Sequence, residues 1–465
     1  MRGILVASFV IFILIGVIVS QTGVYKQHNP KQSIFYQVIS RYYGEFLDVY
    51  DEMFQGSYGY LRPVIPEVID KYLDCGDLAY GFARVRCQAC SAEYLLAFSC
   101  KTRYFCPSCH QKRVLALGEL LREKVLQRVG HRQIVFTVPK MLRCYFRYDR
   151  KLLGKLSRCA YDTVRELYSV SCYGSAALTA GGPDDTMPGV VIAIQTFGDL
   201  ANYHPHLHAL ATEGCFNRDG IFYPVPKIST LRISELFTHK ALKMLLEEGK
   251  ITEDTVKKIM SWRYTGFSID NSVYIGSDER DALEGLVQYI TRAPVSAGKV
   301  IMNGAGDKVI YRSKLNPRIG RNFQVFEPVE WIAALTCHIP NKGEHMTRYY
   351  GFYSNASRGK RKKNGVVAEC RIASEGEELL SSKEYRTMWA QLIRKVYEVD
   401  PLICPECGEE MRIVGIITER PVIDKILVHL DLIEKKSHSP PAETVKHLEL
   451  TSEPCYDDLP FDEND

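Results

Sequence analysis

Net charge is scarce in this chain: 59 Lys and Arg stand against 55 Asp and Glu, leaving +4. So small an excess does not by itself argue for a nucleic-acid partner. Histidine is scarce too, at 12 residues. An even scatter of cysteines is also missing, because Cys75, Cys87, Cys90, Cys100, Cys106 and Cys109 crowd one short stretch. That crowding excludes a small disulfide-stapled secreted scaffold, and reduced thiolates imply a cytoplasmic protein. Disorder is excluded as well, since 465 residues with 46% hydrophobic content suffice for real cores, in roughly two or three domains.

What is present is unevenly placed. "RGKRKK" (358–363) is basic and the tail "YDDLPFDEND" (456–465) is acidic. The apolar run "ILVASFVIFILIGVIV" (4–19) falls short of the ~20 residues that span a bilayer and is close to a signal-peptide core. Arg2 is the only charged residue before it, and export would carry the cysteine cluster into an oxidising compartment. The expectation is that residues 1–23 are an upstream extension from a misassigned start, with the protein beginning near Val24.

Cys87, Cys90, Cys106 and Cys109 read C-x2-C-x15-C-x2-C. Each C-x2-C knuckle offers two thiolates from a tight turn, and two knuckles close a tetrahedron, so this spacing predicts a structural Zn²⁺ ribbon. "CPEC" (404–407) is half a site with no second knuckle downstream, and would need His429 or a distant cysteine. It is left out of the predicted zinc ligands.

"NYHPHLHAL" (202–210) concentrates histidine at every second position. In a strand, His206 and His208 then project side by side while Leu207 turns to the opposite face, which makes half of a metal site. "VVIAIQTF" (190–197), "GDLANY" and "HPHLHALAT" read as a hairpin. A turn centred on 200–201 sets Gln195 opposite His206, a candidate third ligand, and His204 lies within reach as a further one. "VLALGELLREKVLQRV" (114–129) has helical apolar spacing, and "RQIVFTVP" (132–139) is a strand ended by Pro139. "DALEGLVQYITRAPVS" (281–296) predicts a helix with the stripe Leu283, Leu286, Val287 and Ile290, stopped at Pro294. Tyr289 sits at the shoulder of that stripe with Arg292 as its i+3 neighbour. On pattern alone it is a core-edge residue.

"HPHLH" contains the His-hydrophobic-His signature of HUH nucleases, and "QTFGDLANYHPHLHAL" closely resembles the rolling-circle transposases of the insertion-sequence-ninety-one group. The resemblance extends through "CGDLAYGFARVRCQAC", "FSCKTRYFCPSCHQKR" and "HRQIVFTVPK" to "YITRAPVS", "HIPNKGEHMTRYYGFYSN" and "DPLICPECGEEMRIVGII". It covers about residues 24–435. It implies an α+β fold: an HUH nuclease domain with a central antiparallel sheet and flanking helices, preceded by a zinc-ribbon-like module. It implies that His206 and His208 hold Mg²⁺ or Mn²⁺ against the scissile phosphate of single-stranded DNA. Tyr289 matches the nucleophile that becomes joined to the DNA 5′ end, and Arg292 could supply a cation beside it. Two-tyrosine relatives carry another tyrosine one turn earlier, where this chain has Gly285, so it looks like a single-tyrosine member.

The expected organisation is a helical lead-in (24–74), a zinc-binding region (75–113), a nuclease domain (114–300), a basic-aromatic region (301–400) and a C-terminal C-x2-C region with an acidic tail (401–465). Lys101, Arg103, Lys112 and Arg113 around the knuckles are candidate phosphate contacts. "RYYGFYSN" beside "RGKRKK" interleaves aromatics with cations as single-strand binders do, which nominates Arg348, Tyr349, Tyr350, Arg358, Lys360 and Arg361. Tyr349, Tyr350 and Tyr353 are reserve nucleophiles. The expected partners are single-stranded DNA at element ends and target DNA, with no small-molecule cofactor, in a nucleoid-associated cytoplasmic setting. The rival readings are a plasmid replication initiator or relaxase with the same chemistry, and a non-catalytic zinc DNA-binding protein.

Overall fold

A computed structural model of the chain describes residues 30–176, 186–198, 202–218, 220–316, 320–364, 402–404 and 406–433. The apolar run 4–19 and the acidic tail lie outside the described residues. Among those described, no helix is long and apolar enough to cross a membrane.

The fold is α+β. Helix α1 (Ile34–Met53) begins at Ser33, whose Oγ accepts the Tyr36 N–H at 3.1 Å, closing one of the orphan donors of a helix start. Its buried Phe35, Val38, Ile39, Phe46 and Tyr50 recur at helical spacing. They pack with α2 (Val64–Leu73) and the buried Trp331 in one core, which also takes in Cys75, Cys106 and Cys109.

Strands β1 (Phe82–Cys87) and β2 (Glu93–Ala97) form a hairpin. Helix α3 (Pro107–Leu120) starts with Pro at its first position, where a missing N–H costs nothing, and runs into a π-helical turn over Leu121–Val125. The helix expected at 114–129 therefore begins earlier and leaves α geometry earlier. A proline-bearing N-terminus moves its start, and the chain turns extended at Leu126.

The central sheet contains β3 (His131–Thr137), β4 (Gly189–Phe197), β5 (Tyr203–Thr212), β6 (Ser268–Asp270), β7 (Tyr274–Ile275) and β8 (Thr347–Gly351). Its order is β8-β4-β5-β3-β6, with β7 also on β3, and every pairing is antiparallel. The register sets Gln195 opposite His206 and Ala193 opposite His208, as the hairpin reading required. One face carries Ile134, Phe136, Ile192, Ile194, Leu207 and Ala209, buried against helices that include α4 (Lys151–Ala176) and α5 (Thr230–Glu247). The opposite face carries Val191 and Leu210, covered by Leu283 and Val287 of α6 (Arg280–Ile290) and by the π turn. Because directly paired residues share a face, the histidines lie on this second face, beneath α6.

Helix α6 ends at Ile290, four residues before the expected stop at Pro294. Tertiary partners supply the reason. Gln195 Nε2 donates to the Ile290 carbonyl at 2.7 Å and to the Tyr289 carbonyl at 3.4 Å. His110 Nε2 meets the Thr291 carbonyl at 2.9 Å. The carbonyls a helix end leaves open are thus satisfied from outside.

A second three-stranded sheet is built from both halves of the sequence. Strand β9 (Met411–Ile417) pairs with β1, Cys87 facing Met411, and α7 (Arg420–His429) packs Ile423 and Leu427 on Phe82. The segment placed in a separate C-terminal region by sequence is therefore part of the same sheet as the zinc region.

Candidate active site and metal centres

Two cysteine quartets stand out, and neither is the predicted one. Cys75, Cys100, Cys106 and Cys109 bring their sulfurs within 4.8 Å of one another, as do Cys87, Cys90, Cys404 and Cys407. The expected set Cys87, Cys90, Cys106 and Cys109 is split between them. The two knuckles stand on different platforms: Cys87 ends a strand and Cys90 lies in its turn, whereas Cys106 caps α3 and Cys109 lies in its first turn. The helix start faces Cys75, just past α2, and the hairpin turn faces the segment that β9 brings in. Leftover Cys75 and Cys100, together with the orphan "CPEC", were the sequence signal for two quartets.

In the first quartet Cys109 Sγ lies 3.8 Å from Cys75 Sγ and 3.5 Å from Cys100 Sγ. Hydrogen bonds from its three neighbours and from the Lys101 N–H hold the Cys109 thiol far below its ordinary range. Four sulfurs at this separation, three of them on buried cysteines and one half-buried, fit a tetrahedral zinc, whose 2.3 Å bonds imply about 3.8 Å between ligands.

The histidine cluster is held by β5. Ring centroids lie 5.2 Å apart for His204 and His206, and 4.9 Å apart for His206 and His208. Pro205 falls where the β4–β5 register shifts, so its missing N–H breaks no ladder bond and His204 keeps to the face of the other two. His206 Nδ1 donates to the His204 carbonyl at 2.8 Å, which leaves the lone pair on Nε2. Gln133 Nε2 donates to His208 Nδ1 at 2.9 Å. Exchanging the nitrogen and oxygen of that amide by a half-turn would put the proton on Nδ1 and open Nε2 as a ligand atom. His204 Nε2 is buried without a hydrogen-bond partner. Burial, then Arg143, pushes the His204 pKa down to about 4, and burial, then His206, pushes that of His208 to about 3. Neutral imidazoles at His204 and His208, with His204 Nε2 lacking a hydrogen-bond partner, suit a divalent cation.

Tyr289 is half exposed on α6, its ring 6.1 Å from that of His208. The Arg292 guanidinium stands 4.5 Å over the Tyr289 ring and 5.7 Å over Phe197. A cleft of about 460 Å³ opens beside Tyr289 and Arg292 and reaches Ser108 at the start of α3, Lys299 and Lys314.

The reserve tyrosines lie elsewhere. Tyr349 pairs with Val191, four residues along β4 from Gln195, or roughly 13 Å. The Tyr350 hydroxyl meets Ser157 Oγ at 2.6 Å and its ring stacks on Tyr161. The buried Tyr353 hydroxyl accepts the Gln127 N–H at 3.1 Å and meets His131 Nε2 at 2.8 Å. Neither of these two is placed to attack a phosphate at the histidines.

The proposed DNA contacts divide similarly. Lys101, Arg113 and Lys360 are exposed. Arg103 and Lys112 are half-buried, Arg103 reaching the Glu344 carbonyl at 3.4 Å. Tyr350 and Arg348 are corrections, because strand alternation turns both onto the core face, where the Arg348 guanidinium covers Gly154. On the helix Asn355–Lys363, Arg361 lies 3.6 Å over Phe352, and burial pushes its pKa down to about 10. Arg358 lies 5.5 Å over Tyr349, so this pair forms a packed cation–aromatic unit rather than an open stacking platform.

Comparison with known proteins agrees with this layout. A family described as "Putative transposase" matches residues 189–361, the stretch holding the histidines and Tyr289. One described as "Transposase zinc-binding domain" matches residues 45–138, which hold the whole first quartet. The chain is 22% identical over 375 residues to "Transposase for insertion sequence element IS801" of Pseudomonas savastanoi pv. phaseolicola, covering 76% of this chain and 84% of that one. It is 23% identical over 390 residues to "Putative transposase y4qJ" of Sinorhizobium fredii, covering 77% and 91%. No solved structure matches. The class is thus a transposase with an N-terminal zinc-binding domain. Within that class the matches support a transposase like those of the insertion-sequence-ninety-one group.

Proposed function

We propose that this transposase cuts and rejoins single-stranded DNA at the ends of its element through a 5′-phosphotyrosine intermediate, on an HUH-type nuclease domain spanning about residues 114–300. The placement of Tyr289 carries the reading: its ring is 6.1 Å from that of His208 and lies under the Arg292 guanidinium. His206 and His208, with the Gln195 oxygen and His204 as further donors, would hold Mg²⁺ or Mn²⁺, which draws charge off the phosphate oxygens when bound. Tyr289 Oη forms the bond to phosphorus while the bond from phosphorus to the 3′ oxygen breaks. The phenol proton passes to water, and the departing oxygen takes up a proton to become a 3′ hydroxyl. Arg292 favours the phenolate that attacks. One phosphate ester replaces another, so rejoining needs no ATP. With Gly285 one turn before Tyr289, a single tyrosine serves α6. The cleft that runs from Tyr289 past Lys299 and Lys314 gives the strand a path, and exposed Lys101, Arg113 and Lys360 add phosphate contacts.

The test is incubation of the full chain with single-stranded oligonucleotides from the element ends and Mn²⁺, then peptide mapping of any adduct. DNA should be found on the peptide containing "QYITR", and Tyr289→Phe should yield no adduct while retaining DNA binding. An adduct on another peptide, or cleavage that proceeds fully in a chelator, overturns the assignment.

A further inference from the structure

The zinc-binding family match ends at residue 138, yet two cysteines of the second quartet lie far beyond it. We propose that Cys87, Cys90, Cys404 and Cys407 bind a second structural zinc ion, a clasp that holds residues 402–433 against the β1–β2 hairpin. This inference does not depend on the nuclease chemistry proposed above.

The two knuckles have the same backbone geometry. In the first, the Cys87 N–H donates to the Ala92 carbonyl at 2.8 Å and the Ser91 N–H to the Cys87 carbonyl at 3.1 Å. In the second, the Cys404 N–H donates to the Glu409 carbonyl at 2.8 Å and the Gly408 N–H to the Cys404 carbonyl at 2.9 Å. The fifth residue of each turn has positive φ, +65° at Ser91 and +77° at Gly408. Such a left-handed residue is strained for serine, so its presence in both turns marks a shape held for a purpose. Backbone N–H groups of Ala89 and Cys90 point at Cys87 Sγ, that of Ala92 at Cys90 Sγ and that of Glu409 at Cys407 Sγ. Donors so aimed orient and stabilise thiolate ligands.

The sulfurs pair across the two turns. Cys87 Sγ lies 3.6 Å from Cys407 Sγ, and Cys90 Sγ lies 3.4 Å from Cys404 Sγ. All four fall within 4.8 Å, near the ~3.8 Å ligand separation of a zinc tetrahedron. The apolar support around the sulfurs is slight, with Val85, Cys87, Cys404 and Met411 as its buried members and Ile413, Val414 and Ile416 on β9 exposed, while Ile423 and Leu427 pack separately on Phe82. So small a cluster needs its metal to close.

The test is zinc counting on the purified full chain under reducing conditions. Wild type should carry two equivalents, and one equivalent overturns the proposal. The double variant Cys404→Ser, Cys407→Ser should lose one equivalent and keep the other, with proteolytic cleavage within 402–433 accelerated roughly tenfold or more. Cys404→His, which restores a ligand, should keep two. Cys100→Ser should lose the ion of the other quartet and leave 402–433 protected. Retention of both ions by the double serine variant overturns the clasp.

Discussion

Tyr353 and Gly285 show how differently a single site can respond once its neighbours are known. The Tyr353 hydroxyl bridges the Gln127 N–H and His131 Nε2 in the core. Tyr353→Phe leaves those groups without it, so it should cost about 1–3 kcal/mol of stability while adduct formation survives. Denaturant unfolding beside an adduct assay checks both halves. Gly285 is exposed in the middle of α6, and a Cβ added there meets nothing within 4 Å. Gly285→Ala should therefore stabilise the protein by about 0.5–1 kcal/mol through lower unfolded-chain entropy. A fall in melting temperature would show that glycine has another role there.

The element with most at stake is α6, because its end fixes Tyr289. Gln195 from β4 and His110 from α3 hold its last carbonyls, so the helix that supplies Cys106 and Cys109 of the first quartet also anchors the helix that carries the proposed nucleophile. The Tyr104 N–H donates to His110 Nδ1 at 3.2 Å, so Nε2 carries the proton that reaches Thr291. His110→Ala should cost about 1–3 kcal/mol and slow adduct formation more than it weakens DNA binding. His110→Gln, whose amide still donates, should recover most of the rate. Equal loss in both variants would point to packing rather than to that hydrogen bond.

For the whole molecule, acid is a sensitive probe. His131 is fully buried, donating from Nδ1 to the Val129 carbonyl and accepting from Tyr353, with Arg280 the nearby cation. Burial pushes its pKa down to about 4, whereas unfolded histidine titrates near 6.5. The unfolded chain then binds the proton first, so stability is fully present above about pH 6.5 and falls as pH drops toward 4, by up to about 3 kcal/mol from this group. Melting curves between pH 7 and pH 5 should show that fall, and His131→Gln should make it shallower by the share of this one group, His204 and His208 keeping theirs. An unchanged slope in the variant would assign the acid sensitivity to other groups.

The sequence by itself determined what depends on short-range periodicity. Alternation put His206 and His208 on one face, and helical spacing placed Tyr289 beside its apolar stripe, while Gln195 and His204 were only candidates until the strand register was known. Backbone geometry imposes alternation and helical spacing whatever the rest of the chain does, but not the pairing register. Tertiary structure decided the partnerships between distant segments. It divided the cysteines into two quartets, because β9 delivers Cys404 and Cys407 to the hairpin turn while α2 delivers Cys75 to the start of α3. It ended α6 early, because Gln195 and His110 supply partners for its carbonyls. It turned Arg348 and Tyr350 inward, because β8 presents that face to α4, where Arg348 covers Gly154 and Tyr350 stacks on Tyr161. A C-x2-C knuckle looks the same whichever knuckle completes it, since the metal reads only the positions of four sulfurs and not their separation along the chain.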